Sequence, residues 1–281
     1  MAQSQNREQS REIGPDWRLV QTYFGLTLAH PLFERFYGLD RVWEILDRLP
    51  DWLEETLKPN VADLVKNGPL IEVPTAIFEG QTLTRIRYRL NGPEGFEVWD
   101  NERSYPGAAL ILPGAFISDE NIEIGPGVLV ESGATIKGPT ILGPKTEVRQ
   151  GAYIRGGVWA TREAVIGHAT EAKNVLMLDG AKAGHFAYLG DSVLGREVNL
   201  GAGTKLANLR MDGAPITLRG PGETIKLSRR KMGAILGDRA QTGCNSVTNP
   251  GVLFGADALL WPNQTAPSGY YPPMSRIKGL R

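Results

Sequence analysis

Cysteine is almost absent from this 281-residue chain: Cys244 stands alone, so no intrachain disulfide framework can form and a reducing compartment suits it. Histidine is nearly as scarce, with only His30, His168 and His185. Neither sign of charge dominates. The 31 Lys and Arg residues balance 31 Asp and Glu, which leaves no global field to recruit nucleic acid or a membrane surface. No apolar run reaches the roughly 18 residues that a membrane span needs. The opening MAQSQNREQSREIG is polar and has no apolar segment of the leader-peptide kind, so a cytoplasmic protein is expected. The first 110 residues also lack a Gly-rich strand-to-helix segment able to cradle phosphates.

Glycine is what the chain has in quantity, 34 residues of it, and the glycines keep step with aliphatics. The run IGPGVL, VESGAT, IKGPTI, LGPKTE, VRQGAY, IRGGVW repeats every six residues, with Ile124, Val130, Ile136, Leu142, Val148 and Ile154 at the same phase. A short fixed period is the signature of a repeat architecture. Each hexad reads as one short strand and one turn, and three make a triangular coil. One aliphatic side chain per hexad points inward, so residues eighteen apart stack in a column. Small residues at the corners permit tight turns and positive φ. The fold class expected is all-β, a parallel β-helix, with a small α+β region before it.

The chain divides near Leu110. Residues 1–110 are expected to cap the β-helix or mediate assembly, and residues 111–281 to form it, with an insertion at about 207–233. Residues 1–15 are polar, mixed in charge and expected to be disordered. From Asp40 to Asn67, Val42, Trp43, Leu46 and Leu49 follow helical spacing; Asp40 is a candidate N-cap, and Pro50 and Pro59 are expected to break the run. TRIRYRL, Asn91-Gly92-Pro93 and GFEVWD read as a hairpin. Trp17, Trp43, Trp52 and Trp99 are expected to cover one end of the β-helix. The insertion alternates apolar and polar residues around Gly220-Pro221-Gly222, which predicts a β-hairpin leaving the coils. Arg219, Lys226, Arg229, Arg230 and Lys231 make it basic.

The segments GPKTEVRQGAYI, TEAKN, KAGHFAYLGD, VNLGAGTKLANLR and RRKMGAILGD follow one another within residues 111–265. In that order they resemble the left-handed β-helix acetyltransferase domain of the bifunctional glucosamine-1-phosphate acetyltransferase/sugar-1-phosphate nucleotidylyltransferase family. The resemblance implies a left-handed β-helix and transfer of an acetyl group from acetyl-CoA to an amino-sugar 1-phosphate, of glucosamine or galactosamine. It places His185 as general base, with Glu171 as the carboxylate that orients it. It places Arg149 and Lys173 on the sugar phosphate and Tyr188 and Asn199 on the sugar. Asn208 falls near the transferring acetyl group, the Ala202 amide at the thioester oxygen, and Cys244 along the coenzyme groove. Lys231 matches the family's hairpin lysine, with Lys226 as its rival. The resemblance further implies a homotrimer with sites between chains, sugar phosphate and acyl-CoA as its small-molecule partners, and no metal.

The chemistry suits these residue types. An imidazole near its ordinary pKa of about 6.5 can take the amine's proton at neutral pH, and Arg and Lys match phosphate oxygens as a planar fork and a point charge. The chain departs from the family at Leu209, where the glucosamine-1-phosphate enzymes have Tyr, and at Trp261-Pro262, where bifunctional relatives have small alanines. With no nucleotide loop, uridylyl transfer is not expected. Two other classes compete: a non-catalytic module that binds a nucleotide sugar or regulates a separate nucleotidyltransferase, and a metalloenzyme for which only His168 could join His185.

Overall fold

The computed structural model describes residues 16–66, 68–92 and 95–278, so the disorder expected for residues 1–15 lies outside the described residues. The all-β parallel β-helix expected from the hexads begins at the strand Ala109–Ile111 and runs to Arg276–Ile277. Each strand pairs in parallel with the strands one coil before and after it. Glu147 faces Leu129 and Val165 on one face, Tyr153 faces Thr135 and Glu171 on the second, and Ile141 faces Glu123 and Trp159 on the third. Ile124, Val130, Ile136, Leu142, Val148 and Ile154 all point inward and are buried. No single coil could cover them, and stacking makes one continuous core.

Not every coil has eighteen residues. Tyr153 pairs with Glu171, eighteen on, but Val158 pairs with Val175, seventeen on. The missing residue is at a corner. Where one coil turns through Gly156 and Gly157, the next two bend at single residues, Asn174 (φ 51°) and Asp191 (φ 46°). Asn and Asp tolerate left-handed backbone better than other residues with a Cβ. The strands Glu171–Met177 and Tyr188–Leu194 therefore run seven residues straight round the corner.

The third face is hidden. From Ile141 on, its outward column of Ile141, Trp159, Leu176, Val193, Ile235 and Leu253 is apolar and buried. Residues 16–57 cover it with Trp17, Val20, Phe24, Phe36, Ile45, Leu49, Trp52 and Leu53, all buried. Each fully buried aliphatic side chain in such a layer contributes about 1.5–3 kcal/mol. This corrects the expected place of the tryptophans: Trp17, Trp43 and Trp52 lie on a flank, not an end. The N-terminal end is closed instead by Val61, Leu64, Ile71 and Ile77, which join the interior core. Asn60 fastens that plug with two bonds of 2.9 Å, donating to Ile124 O and accepting from Ile124 N–H. Trp99 sits apart in the hairpin of Arg87–Leu90 with Phe96–Trp99, beneath the Arg89 guanidinium.

Helices α1 (Phe33–Tyr37), α2 (Glu44–Thr56) and α3 (Ala62–Val65) carry part of this covering. Two sequence expectations fail in α2. Asp40 does not cap it; the helix starts at Glu44 after Trp43, with no side-chain cap. Pro50 does not break it but lies inside. A proline in a helix interior costs about 3 kcal/mol because it lacks an N–H and crowds the carbonyl four residues back. That carbonyl belongs to Leu46, and Arg229 Nη2 donates to it from the insertion at 3.3 Å. A distant residue supplies the bond that Pro50 removes.

The insertion forms the expected hairpin, Thr217–Gly220 with Glu223–Lys226. It does not leave the coils. Ile216, Leu218 and Ile225 pack into the same layer as the helices, and Gly220 lies so close under the Trp17 indole that a side chain there would overlap the ring. Arg18 Nη1 reaches Glu223 at 3.3 Å. Among the described residues no helix is long and apolar enough to cross a membrane.

Candidate functional site

With one face covered, chemistry is left to the other two and the corner between them. The shortened coils arrange both edges of the face that carries Tyr153, Glu171 and Tyr188. At one edge Asn174, Asp191 and Asn208 form a ladder. Asn174 Nδ2 donates to Asp191 Oδ1 at 3.1 Å and Asn208 Nδ2 to Asp191 Oδ2 at 2.5 Å. Asp191 is buried. Two amide donors to one buried carboxylate make it the anchor of this edge. The Tyr188 hydroxyl donates weakly to Asn208 Oδ1 at 3.4 Å. Its pKa is raised, first by burial and then by the negative charges of Glu171 and Asp191.

The end of the insertion closes on this ladder. Met232 N–H donates to Asn208 O at 2.9 Å and Gly233 N–H to Asp191 O at 2.8 Å, while Leu209 and Lys231 form an antiparallel bridge. Asp191, Leu209, Arg229, Arg230 and Lys231 line a cavity of about 420 Å³. Lys173 pairs with Gly190 in register, next to Asp191. Lys226, the alternative to Lys231, lies out on the hairpin strand Glu223–Lys226.

At the opposite edge a seventeen-residue coil sets His185 directly over His168. Their rings stack with centroids 5.7 Å apart and planes 25° from parallel, and both residues are exposed. One coil further on, Gly203 N–H donates to His185 O at 3.1 Å, and the exposed Phe186 ring lies on Gly203. Ala202 accepts from Asn245 N–H at 2.8 Å, and its own N–H has no partner among the described residues. Cys244 is an exposed free thiol one coil beyond.

The expected bond between Glu171 and His185 is not formed. Glu171 Oε1 instead pairs with Arg155 Nη1 at 2.6 Å across the neighbouring coil, and no hydrogen bond or ion pair engages the His185 ring among the described residues. The reason is position. Glu171 points out from the middle of the face beside Tyr153 and Tyr188, whereas His185 is on its corner. Arg149 is likewise engaged by its near neighbour in the chain, on Glu147 Oε2 at 2.7 and 2.9 Å. Asn199 points out from the adjoining face, exposed between Lys182 and Gln241. One chain thus gathers Lys173, Asn208 and Lys231 at one edge, Glu171 and Tyr188 on the face beside it, and His185, Ala202 and Cys244 at the other edge.

Sequence reasoning passed over Asp191, Asn174 and Arg155; it brought His168 to His185 only as a metal pair, whereas the two rings stack. Asp191 ends the segment KAGHFAYLGD and Asn174 ends TEAKN; Asn or Asp at the close of a β-helix hexad is the available signal for a one-residue corner.

No family model matches the chain. It is 36% identical over 150 residues, 51% of its length, to a bifunctional sugar-1-phosphate nucleotidylyltransferase/acetyltransferase of Sulfurisphaera tokodaii, covering 37% of that protein. It is 37% identical over 112 residues, 40% of its length, to the bifunctional protein GlmU of Methanococcus vannielii, covering 27% of it. The bifunctional protein GlmU of a Synechococcus species is 28% identical over 200 residues, 59% of this chain and 30% of that protein. The chain spans well under half the length of these relatives. Among solved structures, a UDP-N-acetylglucosamine acyltransferase of Francisella novicida is similar over 56% of this chain and 60% of its own, at 16% identity and a TM-score of 0.22. An overlap that loose carries no argument.

Proposed function

We propose that this chain, whose β-helix is similar in sequence to sugar-1-phosphate nucleotidylyltransferase/acetyltransferases, is an acyltransferase. It moves the acetyl group of acetyl-CoA to the amine of an amino-sugar 1-phosphate. The observation that carries the reading is the corner at His185: an exposed imidazole with no hydrogen-bond or ion-pair partner among the described residues, beside the Ala202 N–H one coil on, which has none there either.

His185 takes a proton from the free sugar amine as its nitrogen attacks the thioester carbonyl. The N–C bond forms, and the developing oxyanion accepts from the Ala202 N–H. Collapse breaks the C–S bond, and the coenzyme thiolate leaves with the proton held by the imidazolium. No acyl-enzyme is needed. Lys173 and Arg149 hold the phosphate, Tyr188, Asn199 and Lys231 the sugar, and Asn208 and Cys244 flank the acyl-CoA. Glu171 serves the site by charge, through Arg155, and not by touching His185.

Two features support a homotrimer. The two groups of site residues sit on opposite edges of one face, and each chain leaves two faces uncovered, which is what a closed cyclic trimer uses. A cytoplasmic location fits acetyl-CoA as donor.

Release of free thiol from acetyl-CoA tests the reading against glucosamine 1-phosphate, galactosamine 1-phosphate and the unphosphorylated amino sugars. Thiol release with at least one amino-sugar 1-phosphate, and less with its unphosphorylated form, is the expected result. A chain that binds the sugars and releases no thiol with any of them is a binding module.

A further inference from the structure

Arg229 has no place in the chemistry above, yet among the described residues it is the one side chain of the insertion that bonds into α2. Its Nη2 lies 3.3 Å from Leu46 O and 3.2 Å from Asp47 Oδ1. Its Nε and Nη1 are buried without a partner among the described residues. A guanidinium tied this way serves placement, since three of its five donors are given up to reach one carbonyl and one carboxylate. The carbonyl is available only because Pro50 offers Leu46 no N–H.

We infer that Arg229 is a positioning residue for Lys231, and that the helical layer of residues 16–57 thereby sets the geometry of the cavity edge. Lys231 lies two residues after Arg229, and the segment that carries it is pinned at both ends. Arg229 fixes one end to α2, while Met232 N–H and Gly233 N–H fix the other to Asn208 O and Asp191 O. Lys231 lies between the two anchors, on the cavity it lines with Asp191 and Leu209. Its own ammonium has no ion-pair partner among the described residues, so only the backbone on either side holds it in place. The layer that covers the back of the β-helix thus reaches the working edge through the Arg229 side chain, beside Met232, which is buried in that layer.

This inference rests on the substrate-binding role proposed for Lys231, and its test has an arm that needs no turnover. Hydrogen exchange in the full chain should show the Met232 and Gly233 amides exchanging about tenfold faster in Arg229→Ala, with Leu194 and Leu236 in the coil core unchanged. Arg229→Lys, whose ammonium can still donate to Leu46 O, should restore most of that protection. In the thiol-release assay Arg229→Ala should raise the KM for the amino-sugar 1-phosphate about tenfold and leave kcat within about twofold. Wild-type protection at Met232 and Gly233 in Arg229→Ala would overturn the inference. So would faster exchange spread evenly over the β-helix, or loosened amides with an unchanged KM. A wild-type chain that releases no thiol would count against acyl transfer, and the exchange arm would still decide whether Arg229 holds the strand.

Discussion

His168 and His185 stack face to face, 5.7 Å between centroids, because the coil joining them has seventeen residues and not eighteen. The stack does for the His185 ring what Glu171, held by Arg155, does not: it limits how the imidazole turns. His168→Ala should therefore lower kcat by about tenfold with little change in KM, while His168→Phe, which keeps a ring beneath His185, should retain most of the rate. Equal losses in the two variants would show that the stack is incidental.

The insertion should be sensitive to one methyl group. Gly220→Ala places a Cβ inside the Trp17 indole, and overpacking of that kind costs about 1–3 kcal/mol. The denaturation midpoint should fall with the m-value unchanged, and Trp17→Leu in the same chain should recover part of the loss.

Asp191 should matter more to stability than its single negative charge suggests. Asp191→Ala leaves the amides of Asn174 and Asn208 without an acceptor and puts alanine at a positive φ, a combined cost of about 2–4 kcal/mol. Asp191→Gly relieves the backbone but not the amides, so it should recover only part of the stability in urea unfolding.

Much of this was legible in the hexads. Ile124 through Ile154 announced the three interior columns, and GPGETI announced the hairpin. The covered flank had its own signal as well: Ile141, Trp159, Leu176, Val193, Ile235 and Leu253 point outward and are apolar, which only a covering layer explains. Reading six residues per strand obscured it, because the period shifts by one at Asn174 and again at Asp191. Other features were not readable locally. Pro50 stays within α2 because its missing bond is supplied across 183 residues by Arg229. Glu171 turns to Arg155 because the rows of side chains across stacked coils decide its neighbours, and no spacing along the chain shows that.

A buried histidine joins the helical layer to the coil turn at Asp179. His30 Nδ1 accepts the Leu32 N–H at 3.1 Å, so Nε2 carries the proton and faces Asp179 Oδ1 at 3.7 Å. Burial raises the Asp179 pKa, but the His30 imidazole, the Thr161 hydroxyl and the Arg162 N–H hold it at about 2, below its ordinary 3.8. The folded protein thus binds this proton more weakly than the unfolded chain does. The stabilisation is full above about pH 4 and is lost as the pH falls toward 2. Stability measured across that window should fall less steeply in Asp179→Asn than in wild type; identical slopes would remove Asp179 from the account.

The central claim is that the corner at His185 performs acyl transfer. The rate of thiol release from acetyl-CoA with glucosamine 1-phosphate or galactosamine 1-phosphate, in wild type and in His185→Ala, tests it most directly. The account predicts turnover in the wild type that falls about 10²–10⁴-fold in the variant, with the fold intact. Turnover in His185→Ala equal to the wild type would contradict it.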